Sequence, residues 1–167
     1  AFLFVAVFVG YAVGSAPIVS FHYGARNHAE VHNLYQKSLR LIAVVSVTLT
    51  AASMVIIPYV ARIFVGYDAQ LLALTSRAFR LYALCFLIKG FNIYASSFFT
   101  ALGDGVTSAL ISFLRTFLFQ MAALLVLPAL WGIDGVWLAV TAAELATLAV
   151  TVAMFLTKDK TFHYRKA

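Results

Sequence analysis

The chain is short of charge. Only 11% of its residues are Asp, Glu, Lys or Arg, while 63% are hydrophobic; ordinary soluble domains carry roughly 25% charged residues. A soluble domain of 167 residues surrounds its core with charge, and here there is too little to cover a surface. The shortage is greatest in runs: residues 1–25, 41–61 and 116–133 hold no charged side chain. A bilayer core of ~30 Å needs about 20 mostly apolar residues as a helix, and each run is near that length. A soluble fold is excluded on this ground.

Cysteine is scarce too. Cys85 stands alone within an apolar run, which rules out a disulfide framework and a Cys-based zinc site; it reads as a small buried apolar residue. No GxSxG, GxGxxG, Walker loop or Ser/His/Asp order occurs, so neither an enzyme nor a bound cofactor is expected. A secretory signal opens with basic residues, and none precede the apolar run AFLFVAVFVGYAVGSAP. The expectation is that the chain begins inside a transmembrane helix of something longer.

What is present predicts an all-α, polytopic transmembrane helix bundle over residues 1–157. About five spans are expected, at about 1–21, 40–61, 78–101, 107–130 and 135–157, followed by a basic tail over 158–167. The connection 22–39 carries Asn27, Glu30, Gln36 and Lys37 and predicts a helical lead into the second span. Asp104 between Gly103 and Gly105, and Gly132-Ile133-Asp134-Gly135, supply the turn chemistry of tight reversals. Lys and Arg crowd one side: Arg26, Lys37, Arg40, Lys158, Lys160, Arg165 and Lys166, against Arg62 and Arg77 on the other. The crowded side, including the carboxy-terminus, is expected to be cytoplasmic. Tyr and Trp near span ends fit the headgroup belts. The net charge of +6 therefore serves topology, and no interleaved basic and aromatic patch suggests nucleic acid.

Within the spans, Ala6, Gly10 and Gly14 form a small-residue ridge suited to close helix packing in lipid. Pro17 is expected to bend or end that helix, since it lacks a backbone donor. Three charges lie inside spans: Lys89, Arg115 and Glu144. A charge at mid-bilayer costs at least ~2.5–3.5 kcal/mol, so such residues face partners or water. Cys85, Lys89, Asn92, Ser96 and Thr100 share one helical face; Ser108, Ser112 and Arg115 share another; Trp137, Thr141, Glu144 and Thr151 a third. Two readings stand side by side. The stripes line one hydrated cavity for substrate or ion, or Glu144 pairs with Lys89 or Arg115 and ties helices together. Depth favours Lys89 and Glu144 as the central pair, each about ten residues, or ~15 Å, inside its span, whereas Arg115 lies closer to the cytoplasmic side and can snorkel. His22, His28 and His32 lie in a solvated connection, and no metal site is expected there.

Three stretches carry a resemblance: GYAVGSAPIVSFHYGARNHAEVHNLYQKSLR, FFTALGDGVTSALISFLRTFLF and LPALWGIDGVWLAVTAAE. In content, order and separation they resemble the carboxy-terminal lobe of MATE (multidrug and toxic compound extrusion) transporters, helices eight to twelve of twelve. Glu144 falls where that family often has an acidic residue in the last helix, and Arg115 falls on its Leu-Arg. Ser20, Ala16 and Thr141 depart from residues common there. The resemblance implies a cation-coupled antiporter of the plasma membrane, driven by Na⁺ or H⁺ and exporting cationic or amphipathic compounds by alternating access. Its cavity candidates are Lys89, Asn92, Ser96, Arg115, Thr141 and Glu144. Its partners are the lipid bilayer and a missing amino-terminal lobe. The alternatives are a lipid-linked oligosaccharide flippase of the same superfamily, for which Lys89 and Arg115 speak, and a truncated fragment that transports nothing.

Overall fold

Along its apolar length, helix α2 (His28–Val65) turns its serines inward and several of its valines outward. Ser38, Ser46, Thr50 and Ser53 are buried, while Val44, Val47 and Val55 are 64%, 61% and 64% exposed. That is the reverse of a water-soluble helix. It is stable where the surroundings are as apolar as the valines, so that polar groups gain by finding partners inside. Thr50 Oγ1 donates to the Ser46 carbonyl at 2.7 Å, Ser53 Oγ to the Thr50 carbonyl at 2.8 Å, and Tyr11 and Ser38 share a hydrogen bond of 2.8 Å. The protein is an all-α membrane helix bundle.

The computed structural model describes residues 2–164. Ala1, at the head of the first expected span, and Arg165 and Lys166 of the basic tail lie outside the described residues. In chain order, α1 (Phe2–Gly24) and α2 precede α3 (Ala69–Ala83), α4 (Phe86–Ala101) and α5 (Gly105–Phe113). A π-helical turn (Leu114–Phe119) then leads into α6 (Gln120–Phe162). By length and composition, α1, α2 and the stretch Gly105–Phe162 can each cross a membrane, and α3 with α4 makes a fourth crossing bent by 41°.

The 58-residue stretch Gly105–Phe162 accounts for two of the expected spans. As a straight helix it would extend about 87 Å, yet Lys158 Nζ lies 2.8 Å from Asp104 Oδ2. The chain reverses at Gly132, whose φ of 58° and ψ of −136° break the helix. Such a φ suits glycine. Just beyond, Gly135 runs so close to the Leu127 carbonyl that a Cβ would overlap it. The glycine-rich turn read from the sequence is thus the hinge of a helical hairpin, and Arg77 pairs with Asp134 beside it.

Other elements differ from expectation. The helical lead into the second span is continuous with it, so α2 starts at His28, capped by Asn27, which accepts from the Glu30 amide at 3.2 Å. The expected third span is broken at Leu84 and Cys85. Pro17 does not end α1, which continues to Gly24. Nor do Gly10 and Gly14 form a packing ridge inside this bundle, since no atom lies within 4 Å of where their Cβ atoms would be. The fit is the other way round. Phe8, Ala12 and Val19 are the buried face of α1, and the Phe8 ring fills the space over Gly90 of α4. Large packs on small, with the small residue on the partner helix. Ser97 adds a hydrogen bond to the Ala12 carbonyl at 2.9 Å.

Helix α4 lies at the centre, in contact with α1, α2, α5 and α6. Its Tyr94, Phe98 and Phe99 are buried, and Phe99 stacks on Phe155 of α6 with centroids 5.1 Å apart. At the same end, the Asp104 carboxylate caps α5, accepting from the Thr107 amide at 3.0 Å and its hydroxyl at 2.7 Å. Burial alone would raise its pKa, but the Lys158 ammonium and the two Thr107 hydrogen bonds outweigh that and hold it below the ordinary carboxylate value. A lowered folded-state pKa contributes stability that is present above the unfolded value and lost as pH falls through the folded one. Asp104→Asn, which keeps a capping oxygen, should therefore be less stable than wild type at neutral pH. The gap should close as acid takes wild-type Asp104 below the usual carboxylate range. Asp104→Ala should lose about 1 kcal/mol more, for the cap. Unfolding midpoints against pH for the three proteins check this; a gap that persists in acid would remove the ion pair as its cause.

Candidate functional site

Glu144 is the most buried charged side chain among the described residues. It lies on the outgoing arm of the α6 hairpin with only 4% of its surface exposed. A lone carboxylate in such surroundings is costly, and two residues of α4 answer it. Lys89 Nζ sits 3.6 Å from Glu144 Oε1. Asn92 Nδ2 donates to Glu144 Oε2 at 2.8 Å and to the Glu144 backbone carbonyl at 3.0 Å. Asn92 Oδ1 in turn accepts from Thr151 Oγ1 at 3.0 Å. Lys89 and Asn92 meet α6 together because they are three apart on α4, and Glu144 and Thr151 face back because seven residues make two turns.

The break between α3 and α4 sets the position of Lys89. At Cys85 the backbone amide turns to the Tyr82 carbonyl at 3.0 Å, a three-residue step in place of the α-helical four. That step leaves the Leu81 carbonyl without its helical donor. Thr141 Oγ1, one turn before Glu144, donates to it at 3.4 Å. Regular bonding resumes with Lys89 N to the Cys85 carbonyl at 2.9 Å. The bend also brings Tyr82 of α3 over the ammonium, with Lys89 Nζ 5.7 Å from the ring centroid. An aromatic face and a carboxylate both attract a cation.

The six candidates do not share a single cluster. Lys89, Asn92 and Glu144 are together, and Thr141 borders them through the Leu81 carbonyl. Ser96 belongs to a separate hydroxyl knot between α4 and α5, with Ser112 Oγ at 2.8 Å and Ser108 Oγ at 2.9 Å; Thr100 Oγ1 donates to Ser108 Oγ at 2.7 Å. Arg115 is hydrogen-bonded to neither. It lies within the π-helical turn, and its Nη1 is buried with no hydrogen-bond partner among the described residues. Of the two charges that stood as partners for Glu144, the structure supplies Lys89. Two members of the site are not among the six candidates. Thr151 lay on the same stripe as Glu144, a signal that was available. Tyr82 was read only as a belt residue, because its approach to Lys89 depends on a helix break that no Gly or Pro announces.

A family model named MatE matches residues 1–125. No curated protein matches the chain. Among solved structures, the chain is similar to an outward-facing conformation of a multidrug resistance MATE family transporter of the MOP superfamily. The TM-score is 0.87 at 18% identity, covering 97% of this chain and 37% of that one. It is similar to an inward-facing conformation of such a transporter, with TM-score 0.87 at 19% identity, covering 99% and 39%. A MATE in complex with MaL6 gives 0.85 at 18%, covering 97% and 37%. At these identities the likeness is one of fold, and the chain spans less than two-fifths of each matched structure.

Proposed function

Since this chain belongs to the MatE family of membrane transporters, we propose that it forms the carboxy-terminal lobe of a cation-coupled antiporter. The antiporter exports cationic or amphipathic compounds by alternating access, with Na⁺ or H⁺ as the coupling ion. Its described carboxy-terminal end, with the neighbouring basic connections, faces the cytoplasm of a cell bounded by the plasma membrane in which it sits. The observation that carries this reading is Glu144: a carboxylate 4% exposed, inside an apolar helix, and held in place by two residues of the central helix. Such intramembrane acids mark ion and substrate paths.

The equal likeness to outward-facing and inward-facing structures supports a mechanism in which the lobe keeps its internal arrangement while it rocks against a second lobe. The interior of the lobe supports the same motion. Asn92 is committed to both Glu144 and Thr151, and Phe99 to Phe155, so α4 and α6 move as one. Arg115 is the observation on the side of a lipid-linked flippase, since an unpaired guanidinium suits a pyrophosphate. Lys89 no longer adds to that case, because Glu144 neutralises it. The antiporter reading is therefore preferred.

The test is drug-driven efflux from cells or vesicles carrying the whole protein with Glu144→Gln, which keeps an acceptor for Asn92 and removes the charge. Transport should fall at least about tenfold, the effect of roughly 1.4 kcal/mol. Transport and ion coupling equal to wild type would take Glu144 out of the mechanism.

A further inference from the structure

We propose that Lys89 is the resident counter-cation of Glu144: a tethered ammonium that keeps Na⁺ off this carboxylate and must be displaced by any cation using the site. The inference rests on the reading of Glu144 as the lobe's cation-facing group and goes beyond it by saying what already occupies that position.

The two carboxylate oxygens have different tasks. Oε2 accepts the Asn92 amide at 2.8 Å, which fixes the orientation of the group. Oε1 faces Lys89 Nζ at 3.6 Å, a separation longer than a hydrogen bond between nitrogen and oxygen. The ammonium is thus held by charge rather than by a directed bond. Its other attraction is the Tyr82 ring face at 5.7 Å, which is equally undirected. A carboxylate oxygen and an aromatic face, both close to the ammonium, make a position that recognises a cation without demanding its shape. Lys89 fills it from within. Its side chain is 14% exposed and that of Glu144 is 5% exposed, so little water screens the two.

A second cation there would meet the first. Two unit charges about 4 Å apart, at an effective dielectric constant of about 20, repel strongly enough to weaken binding roughly a thousandfold. Sodium therefore has no place at Oε1 while the ammonium stays. The four-carbon stem of lysine is flexible and the contact is loose, so the ammonium can swing aside. What displaces it has to offer Glu144 and Tyr82 more than Lys89 does. An organic cation with an apolar body does so, because the ring attracts it and burial of its body adds to the attraction.

The experiment uses the purified full-length protein in lipid nanodiscs and Na⁺ as the probe, with N-methylglucammonium, whose body is hydroxylated rather than apolar, replacing it at constant ionic strength. Bound radioactive sodium and melting temperature are the readouts, and neither depends on transport, so loss of efflux and failure of this proposal are distinguishable. In the wild-type background, Na⁺ binding should be the same with and without Glu144→Gln. Lys89→Met should gain saturable Na⁺ binding at least about tenfold tighter than wild type, and Lys89→Met with Glu144→Gln should lose that gain. Lys89→Arg, which restores a cation, should behave as wild type. Lys89→Gln serves should the methionine variant fail to fold. Wild-type Na⁺ binding that Glu144→Gln abolishes would overturn the proposal, as would folded Lys89→Met or Lys89→Gln protein with no gain. If neither variant folds, the wild-type and Glu144→Gln comparison decides alone.

Discussion

Replacing Glu144 by alanine is expected to destabilise the bundle by about 3–5 kcal/mol, the cost of stranding one member of a buried ion pair. The stranded group is Lys89, whose ammonium has Glu144 Oε1 as its ion-pair partner at 3.6 Å. Asn92 loses less, because its amide also donates to the backbone carbonyl at position 144, at 3.0 Å. The pair need not stabilise the fold in net terms, since an apolar replacement of both partners is often neutral. Glu144→Ala with Lys89→Met should therefore recover most of the loss. Reversible unfolding in detergent micelles, with both single variants and the double, measures the coupling. A double variant no more stable than Glu144→Ala would show that Lys89 was never the stranded group.

Tyr164→Ala should cost a similar amount, about 3–5 kcal/mol, by the usual scale for emptying a large buried aromatic site. Tyr164 lies beyond the end of α6, where His163, at φ 51°, turns the chain back. The side chain is 0% exposed. Its hydroxyl donates to the Phe155 carbonyl at 2.8 Å, and its ring meets Tyr35, Phe98 and Phe155 edge-on or tilted. His32 Nδ1 lies 2.9 Å from the Tyr164 carbonyl. A carbonyl only accepts, so that nitrogen carries the hydrogen, and His32 Nε2 then accepts from Gln36 at 2.9 Å. Tyr164→Phe should lose only about 1 kcal/mol, one hydrogen bond. Thermal unfolding of both variants separates packing from bonding, and an alanine variant as stable as the phenylalanine one would sink the claim that this residue seals the bundle.

The class of the molecule was legible because membrane solvent leaves a compositional mark, and the lone charges were legible because each had to have a reason. Lys89, Asn92, Glu144 and Thr151 were placed on facing stripes by helical spacing alone. Depth within the spans favoured Lys89 over Arg115 as the partner of Glu144, and the structure pairs them; what spacing could not show is the bend at Leu84 and Cys85 that brings Tyr82 to the ammonium. That bend, like the π-helical turn at Arg115, has no glycine or proline within it. Gly103 and Gly132 did signal their turns, and both have positive φ. Pro17 does not end α1, because a missing donor within a helix is tolerated when the flanking turns remain bonded. Tyr164 was hidden in a short polar tail, where nothing in the local pattern marks a residue that returns to the core.

The Lys89–Glu144 pair also constrains how the protein is made. Its halves leave the ribosome separately, with Lys89 and Glu144 lying 55 residues apart in the chain. Helix α4 therefore reaches the insertion machinery carrying a positive charge with nothing to answer it, and Glu144 follows only with the second arm of the hairpin. Until then α4 is a poor candidate for release into lipid. Its retention beside the translocon, with water or a chaperone around Lys89, would make completion of the hairpin's second arm the event that commits α4 to the bilayer.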